Sequence, residues 1–244
     1  MSVIPEKYGI GKTEPRTGRV AAVILTSVIL LTACATSHPL FDTGLEAFNR
    51  NNFRTAYVSW IEAAKDGDAD SQHSLGWLYE NGSGVARNYI AASYWYKLSA
   101  AQGLGGAQLN LGNLYDNGLG VEKNYEEAAR LYLAAAEKGF AEAQNNIGVM
   151  YFEGHGVEQS YGEAAKWLDK AAERGVPAAQ NRLGVMYFKG LGVEKDHEKA
   201  LFWLELAVRR GQPGAVQNRD FARSFLNVEQ VDVVNSQVGM WYPY

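Results

Sequence analysis

Four histidines and a single cysteine are the side chains of this 244-residue chain best suited to metal binding or nucleophilic chemistry, and their spacing argues against both. No histidine sits at i, i+4 from another, and Cys34 with His38 at that spacing supplies only two ligands where a zinc site takes three or four from the protein, so no zinc ligand set assembles around His38, His73, His155 or His197. His197 falls in a position held elsewhere by Phe53, Tyr89, Tyr125 and Tyr161, which marks it as a packing residue. His155 stands between two turn glycines where other copies carry Ser83, Leu119 and Leu191, the place of a solvated loop side chain. The G-x-G-V segments lack the strand and the lysine of a phosphate-binding loop and read as turns. No catalytic residue, cofactor or metal is expected. What remains for recognition is a set of asparagines and aromatics, and an asparagine offers paired donors and acceptors to an extended backbone or to sugar hydroxyls.

Glycine and tyrosine recur at a period of 36 residues without an insertion: Gly76, Gly112, Gly148 and Gly184; Tyr79, Tyr115, Tyr151 and Tyr187; then Gly82 and Gly84 with their counterparts, each second glycine followed by valine. A fixed period of this size signals a stacked array whose units bury apolar faces against their neighbours. In the copy from Ala107 to Gly139, Ala107, Leu111, Tyr115 and Gly118 share one helical stripe. Ala128, Leu131, Tyr132, Ala135 and Ala136 follow the i, i+3, i+4, i+7, i+8 rule of a second helix. The glycine-rich DNGLGVEKN between them turns the chain. The unit is a helical hairpin.

Asn52, Asn88, Asn124, Ser160 and Asp196 precede the second helices and predict N-caps. Glu127 and Glu163, three residues on from two of them, predict capping boxes. Gly67, Gly103, Gly139, Gly175 and Gly211 mark the C-terminal stops. A glycine inside the first helix costs about 1 kcal/mol relative to alanine. Close approach of the facing Ala92, Ala128, Ala164 and Ala200 is the expected compensation.

The pattern A-x-x-x-L-G-x-x-Y-x-x-G-x-G-V, a capped second helix and A-A-x-x-G resembles the Sel-one-like repeat family, a relative of the tetratricopeptide repeats. The resemblance implies an all-α, right-handed α-solenoid of helical hairpins. Repeats are drawn at 71–106, 107–142, 143–178 and 179–214, preceded by a tetratricopeptide-like hairpin at 42–70 and followed by a C-terminal cap and tail at 215–244. In the cap, a partial helix around Ala215 to Phe225 leads to a segment in which Val228, Val231 and Val234 share an apolar face. The aromatic tail of Met240, Trp241, Tyr242 and Tyr244 is expected to fold back on it.

Lys7, Lys12, Arg16 and Arg19 precede an apolar run of 12 residues, Val20 to Leu31, too short for a bilayer core that needs about 20. It fits a secretory signal peptide, 1–33. The following LTAC resembles the bacterial lipoprotein box, which implies lipidation of Cys34, the sole cysteine, with 34–41 as a short tether. More than one acyl chain is what stable anchoring requires. A tether of that length spans roughly 15 Å, so the solenoid would ride close to the membrane. Ala35 is not the aspartate that retains lipoproteins at the inner membrane in many Gram-negative bacteria; the resemblance therefore favours the periplasmic side of the outer membrane, the inner membrane being the alternative.

Without its first 33 residues the chain holds 19 basic and 25 acidic residues, a net charge of −6, and no basic stripe for nucleic acid. In tetratricopeptide-like arrays the first helices line the concave face. Its ligand-facing positions are His73, Ser74, Trp77 and Asn81; Asn110, Asn113 and Asn117; Asn146, Val149 and Phe152; and Arg182, Val185 and Phe188, with Trp77 and Phe152 as expected hot spots. The leading reading is a non-catalytic adaptor for an envelope protein partner. A peptidoglycan or polysaccharide binder is the second. A β-lactam hydrolase, suggested by cysteine-rich members of the family whose paired cysteines are missing here, is the third.

Overall fold

The computed structural model describes residues 38–241, and among them the regular structure is entirely helical. Cys34, the signal segment and the tail residues Tyr242 and Tyr244 lie outside the described residues. Helices α1 (Pro39–Asn49) and α2 (Phe53–Lys65) form the first hairpin. Four repeats follow: α3 (Ala69–Asn81) with α4 (Tyr89–Ala101), α5 (Gly105–Asn117) with α6 (Tyr125–Glu137), α7 (Ala141–Glu153) with α8 (Tyr161–Glu173), and α9 (Pro177–Lys189) with α10 (His197–Arg209). The chain closes with α11 (Ala215–Arg223) and α12 (Val228–Met240). Each helix packs mainly on its sequence neighbours, which makes the molecule an α-solenoid of helical hairpins.

The second helices begin at the predicted caps. Asn124 accepts from the Glu127 amide at 3.0 Å and Asp196 from the Lys199 amide at 2.9 Å. The predicted capping boxes do not form: the Glu127 carboxylate takes two bonds from Arg130, at 2.9 and 2.6 Å, and Glu163 pairs with Lys166 at 2.6 Å. The cap amides are already taken, Asn124 N–H donating to the Tyr115 carbonyl at 3.0 Å and Ser160 N–H to the Tyr151 carbonyl at 2.9 Å, which leaves both glutamates to the cations one turn on. A reciprocal box closes instead at the start of α12, between Asn227 and Gln230. First helices start two residues before the drawn repeat boundaries, at 69, 105, 141 and 177, and α1 starts at Pro39, inside the stretch assigned to the tether.

Turn glycines are required twice over. Gly120 has φ +68°, and a Cβ there would fall on the Tyr89 carbonyl of the preceding repeat. The first-helix glycines also meet a neighbour, but not chiefly the alanines expected. A Cβ on Gly112 would stand 2.7 Å from Tyr132, on Gly148 2.8 Å from Leu168, and on Gly184 2.6 Å from Leu204, with the Ala200 carbonyl at 3.0 Å. The large side chain of the second helix lies over the glycine, and the void left by the missing Cβ is what admits it.

Neighbouring repeats are stapled where one helix ends and the next begins. Buried Gln72, Gln144 and Gln180 donate to the Ala64, Ala136 and Ala172 carbonyls at 3.1, 3.2 and 3.1 Å. Gln102 donates to Gly67 O at 2.8 Å, Lys138 to Gly103 O, and Arg174 to Gly139 O at 2.9 Å. These bonds satisfy carbonyls that a helix C-terminus leaves open, and the two cations also oppose the dipole there.

Candidate functional site

Polar side chains from successive first helices meet along one face. At its start, Tyr96 Oη donates to Glu80 Oε2 at 2.6 Å, and Asn110 Nδ2 lies 3.2 Å from Tyr96 Oη and 3.1 Å from His73 Nε2. An amide NH2 only donates, so Nε2 of His73 accepts and the ring proton sits on Nδ1. Burial lowers the His73 pKa from 6.5 to about 4, leaving a neutral imidazole tilted over Tyr96 at 5.6 Å. Burial likewise raises Glu80, against the hydrogen bond from Tyr96, which lowers it. One repeat later Asn113 Oδ1 accepts from Tyr132 Oη at 2.7 Å and from Asn146 Nδ2 at 3.3 Å. Near the end, Asn181 Oδ1 accepts from Asn218 Nδ2 at 2.9 Å.

The face then changes character. The position held by Glu80 and Asp116 becomes Phe152 and Phe188, and the tyrosine opposite becomes Leu168 and Leu204. Phe152 packs edge-on against Tyr161 at 5.2 Å, with the Arg182 guanidinium 5.5 Å above it and 3.5 Å from Glu153. Phe188 stacks on His197 at 4.9 Å and touches Phe221 and Phe225, each at 5.1 Å. Phe221 and Phe225 are themselves 58% and 52% exposed. The stacking of His197 on Phe188 matches its reading as a packing residue.

The thirteen positions picked from the sequence therefore divide. His73, Asn110, Asn113 and Asn146 are half-buried and bonded across repeats, and Phe188 is the centre of an aromatic cluster, so these five build the face rather than project freely from it. Neighbouring first helices approach closely enough to use those side chains on each other. Trp77 is half-buried with Phe48 at 5.1 Å. Asn81 and Asn117 are exposed and each donates to its own helix, at Trp77 O and Asn113 O. Ser74 donates to Asp70 O, while Val149, Arg182 and Val185 are half-buried. Glu80, Asp116, Phe221 and Phe225 were missed. The first two stand in the same 36-residue column as Phe152 and Phe188, so reading that column would have found them.

Among the described residues no group of three or more His, Cys, Asp or Glu side chains is placed to hold a metal ion, and no helix is long and apolar enough to cross a membrane. The Sel1 repeat model matches residues 69–104, 106–140, 141–176 and 177–212. The chain belongs to the Sel1 repeat family. Its helical hairpins are also similar to a Sel1 repeat protein from Oxalobacter formigenes, with 28% identity over 83% of each chain and a TM-score of 0.72. A second likeness is to c5321, a protective antigen of uropathogenic Escherichia coli with an SLR fold, at 29% identity and TM-score 0.55, covering 78% of this chain and 50% of that one. A search of curated proteins returned no match. Sel1 repeat proteins are in general scaffolds for protein–protein interaction, typically non-catalytic.

Proposed function

We propose that this Sel1 repeat protein is a non-catalytic adaptor, held at a bacterial envelope membrane by lipid on Cys34, that docks a protein partner along its first-helix face. The carrying observation is the continuity of that face: side chains of successive first helices touch, and the surface runs from carboxamides and carboxylates to exposed phenylalanines. The bonded asparagines pre-organise the floor, and pre-organisation removes ordering cost from binding. Trp77 and the Phe221–Phe225 pair supply the aromatic anchors from which interface hot spots are built. The LTAC sequence supports the anchor, and Ala35 in place of the retention aspartate supports a periplasm-facing outer-membrane location. Polysaccharide binding by the same carboxamides is the second reading.

The domain from Ala35 onward, used as bait in envelope extract, is expected to retain a stoichiometric protein that is lost with Phe225→Ala and Trp77→Ala. Retention on isolated cell wall alone would replace the adaptor by a polysaccharide binder. Palmitate incorporation that survives Cys34→Ser would remove the anchor.

A further inference from the structure

The outward face of α4 carries Ile90, Tyr94 and Leu98 at i, i+4, i+8, exposed at 70%, 57% and 36%. The array contains its own controls. In the next two repeats the same positions are Glu126, Arg130 and Ala134, then Gly162, Lys166 and Lys170, an ordinary solvated surface. In the last repeat they are Glu198, Phe202 and Leu206, and there they are covered: α12 lies across α10, and Trp203, Leu206, Val231, Val234 and Val238 form one buried cluster on which Phe202 and Trp241 pack. Leu206 falls to 3% exposed as a result. An aromatic pair takes the same geometry in both places. Tyr94 and Trp95 meet at 5.0 Å and 77°, and Phe202 and Trp203, three repeats later, at 5.1 Å and 75°.

We infer that the Ile90–Tyr94–Leu98 face is a second docking surface, built to seat an amphipathic helix of a protein partner in the way α10 seats α12. The occupant has aliphatic side chains at i, i+3 and i+7, as Val231, Val234 and Val238 are spaced. The two polar clamps on α12 have no counterpart on α4. Gln230 donates to Glu198 at 2.7 Å and Arg209 to the Val238 carbonyl at 2.9 Å, whereas α4 has Ile90 and Ala101 at those positions. The seat on α4 holds its helix by apolar burial alone, which suits an occupant that arrives and leaves. This surface is independent of the first-helix face, so either assignment stands if the other fails.

The probe is a fluorescent synthetic peptide of Asn227–Trp241, titrated with the full chain, whose own α12 keeps α10 covered. Saturable binding is expected, with a gain of peptide helicity, weakened at least tenfold by Ile90→Glu and by Tyr94→Glu and unchanged by Lys166→Glu. Both substituted side chains are exposed, and thermal melts equal to wild type with Ile90→Leu retaining binding would show that the fold is intact. No saturable binding, or binding indifferent to both glutamates, overturns the inference. So does a face consumed by dimerisation of the chain, or by phosphatidylglycerol vesicles that bind through Ile90 and Tyr94 while the peptide does not.

Discussion

Gly112 and Tyr132 occupy one space: a Cβ on the glycine would stand 2.7 Å from Cε1 of the tyrosine, whose hydroxyl reaches past it to Asn113. The glycine sits in α5, the tyrosine in α6, and their contact sets how closely the two helices of a repeat approach. The same pairing, with leucine for tyrosine, recurs in the third and fourth repeats.

Gly112→Val should therefore destabilise by about 3 kcal/mol or more, well beyond the roughly 1 kcal/mol that a propensity change moves in either direction. Gly162→Ala is the contrast, because nothing lies within 4 Å of its added Cβ and its φ is not positive. It should stabilise by about 0.4–1 kcal/mol by restricting the unfolded chain. Urea midpoints of the two variants moving in the same direction would refute the packing account.

His73 makes stability depend on pH. Its folded pKa is depressed to about 4 from 6.5, so between those values the unfolded chain binds more protons than the native one. Its contribution is complete above pH 6.5, is lost as pH falls toward 4, and amounts to no more than roughly 3 kcal/mol. Urea titrations across this range should show that slope in the native chain and a flatter profile in His73→Gln. An unchanged slope would place the effect elsewhere.

Asn113→Leu removes the main acceptor of the buried Tyr132 hydroxyl and leaves Asp116, at 3.5 Å, as a distant acceptor. A cost of about 1–3 kcal/mol follows for a buried donor left without a good partner. Asn117→Ala, on the exposed end of the same helix, should stay within about 0.5 kcal/mol of wild type. Calorimetry on the two proteins separates an asparagine that builds the face from one that decorates it.

Ending the chain after Leu226 should expose Trp203 and Leu206. Val231, Val234 and Val238 cover them in the intact protein, while Val228, expected on the same face, is 78% exposed. The shortened protein should melt lower and associate with rising concentration, as a terminal repeat without its cap does. A monomeric truncation with an unchanged melting temperature would show that α12 contributes nothing to the array.

Much of the architecture was readable because it is written at short range. Asn88, Asn124, Ser160 and Asp196 cap helices through bonds to amides two or three residues away, so residue type and position suffice. The glycine of each turn is legible for the same reason, since positive φ is a local demand. Failures began where the partner came from another helix. The Asn124 amide that Glu127 was expected to bond is taken by the Tyr115 carbonyl of α5, and Val228 could face α10 or water; periodicity describes a helix, not the angle at which it arrives.

By itself, the sequence determined the number of units, their hairpin form and their stacking, because a 36-residue period with capped ends leaves each unit an apolar face that only its neighbour can cover. Tertiary structure alone decided which surface is left over for a partner. His73 and Asn110 meet from positions 37 apart, and Phe202 and Leu206 lie beneath α12 while Tyr94 and Leu98 lie open. Identical columns in the sequence thus become buried or free according to what the chain lays across them, and that depends on contacts between helices rather than on the composition of any one helix.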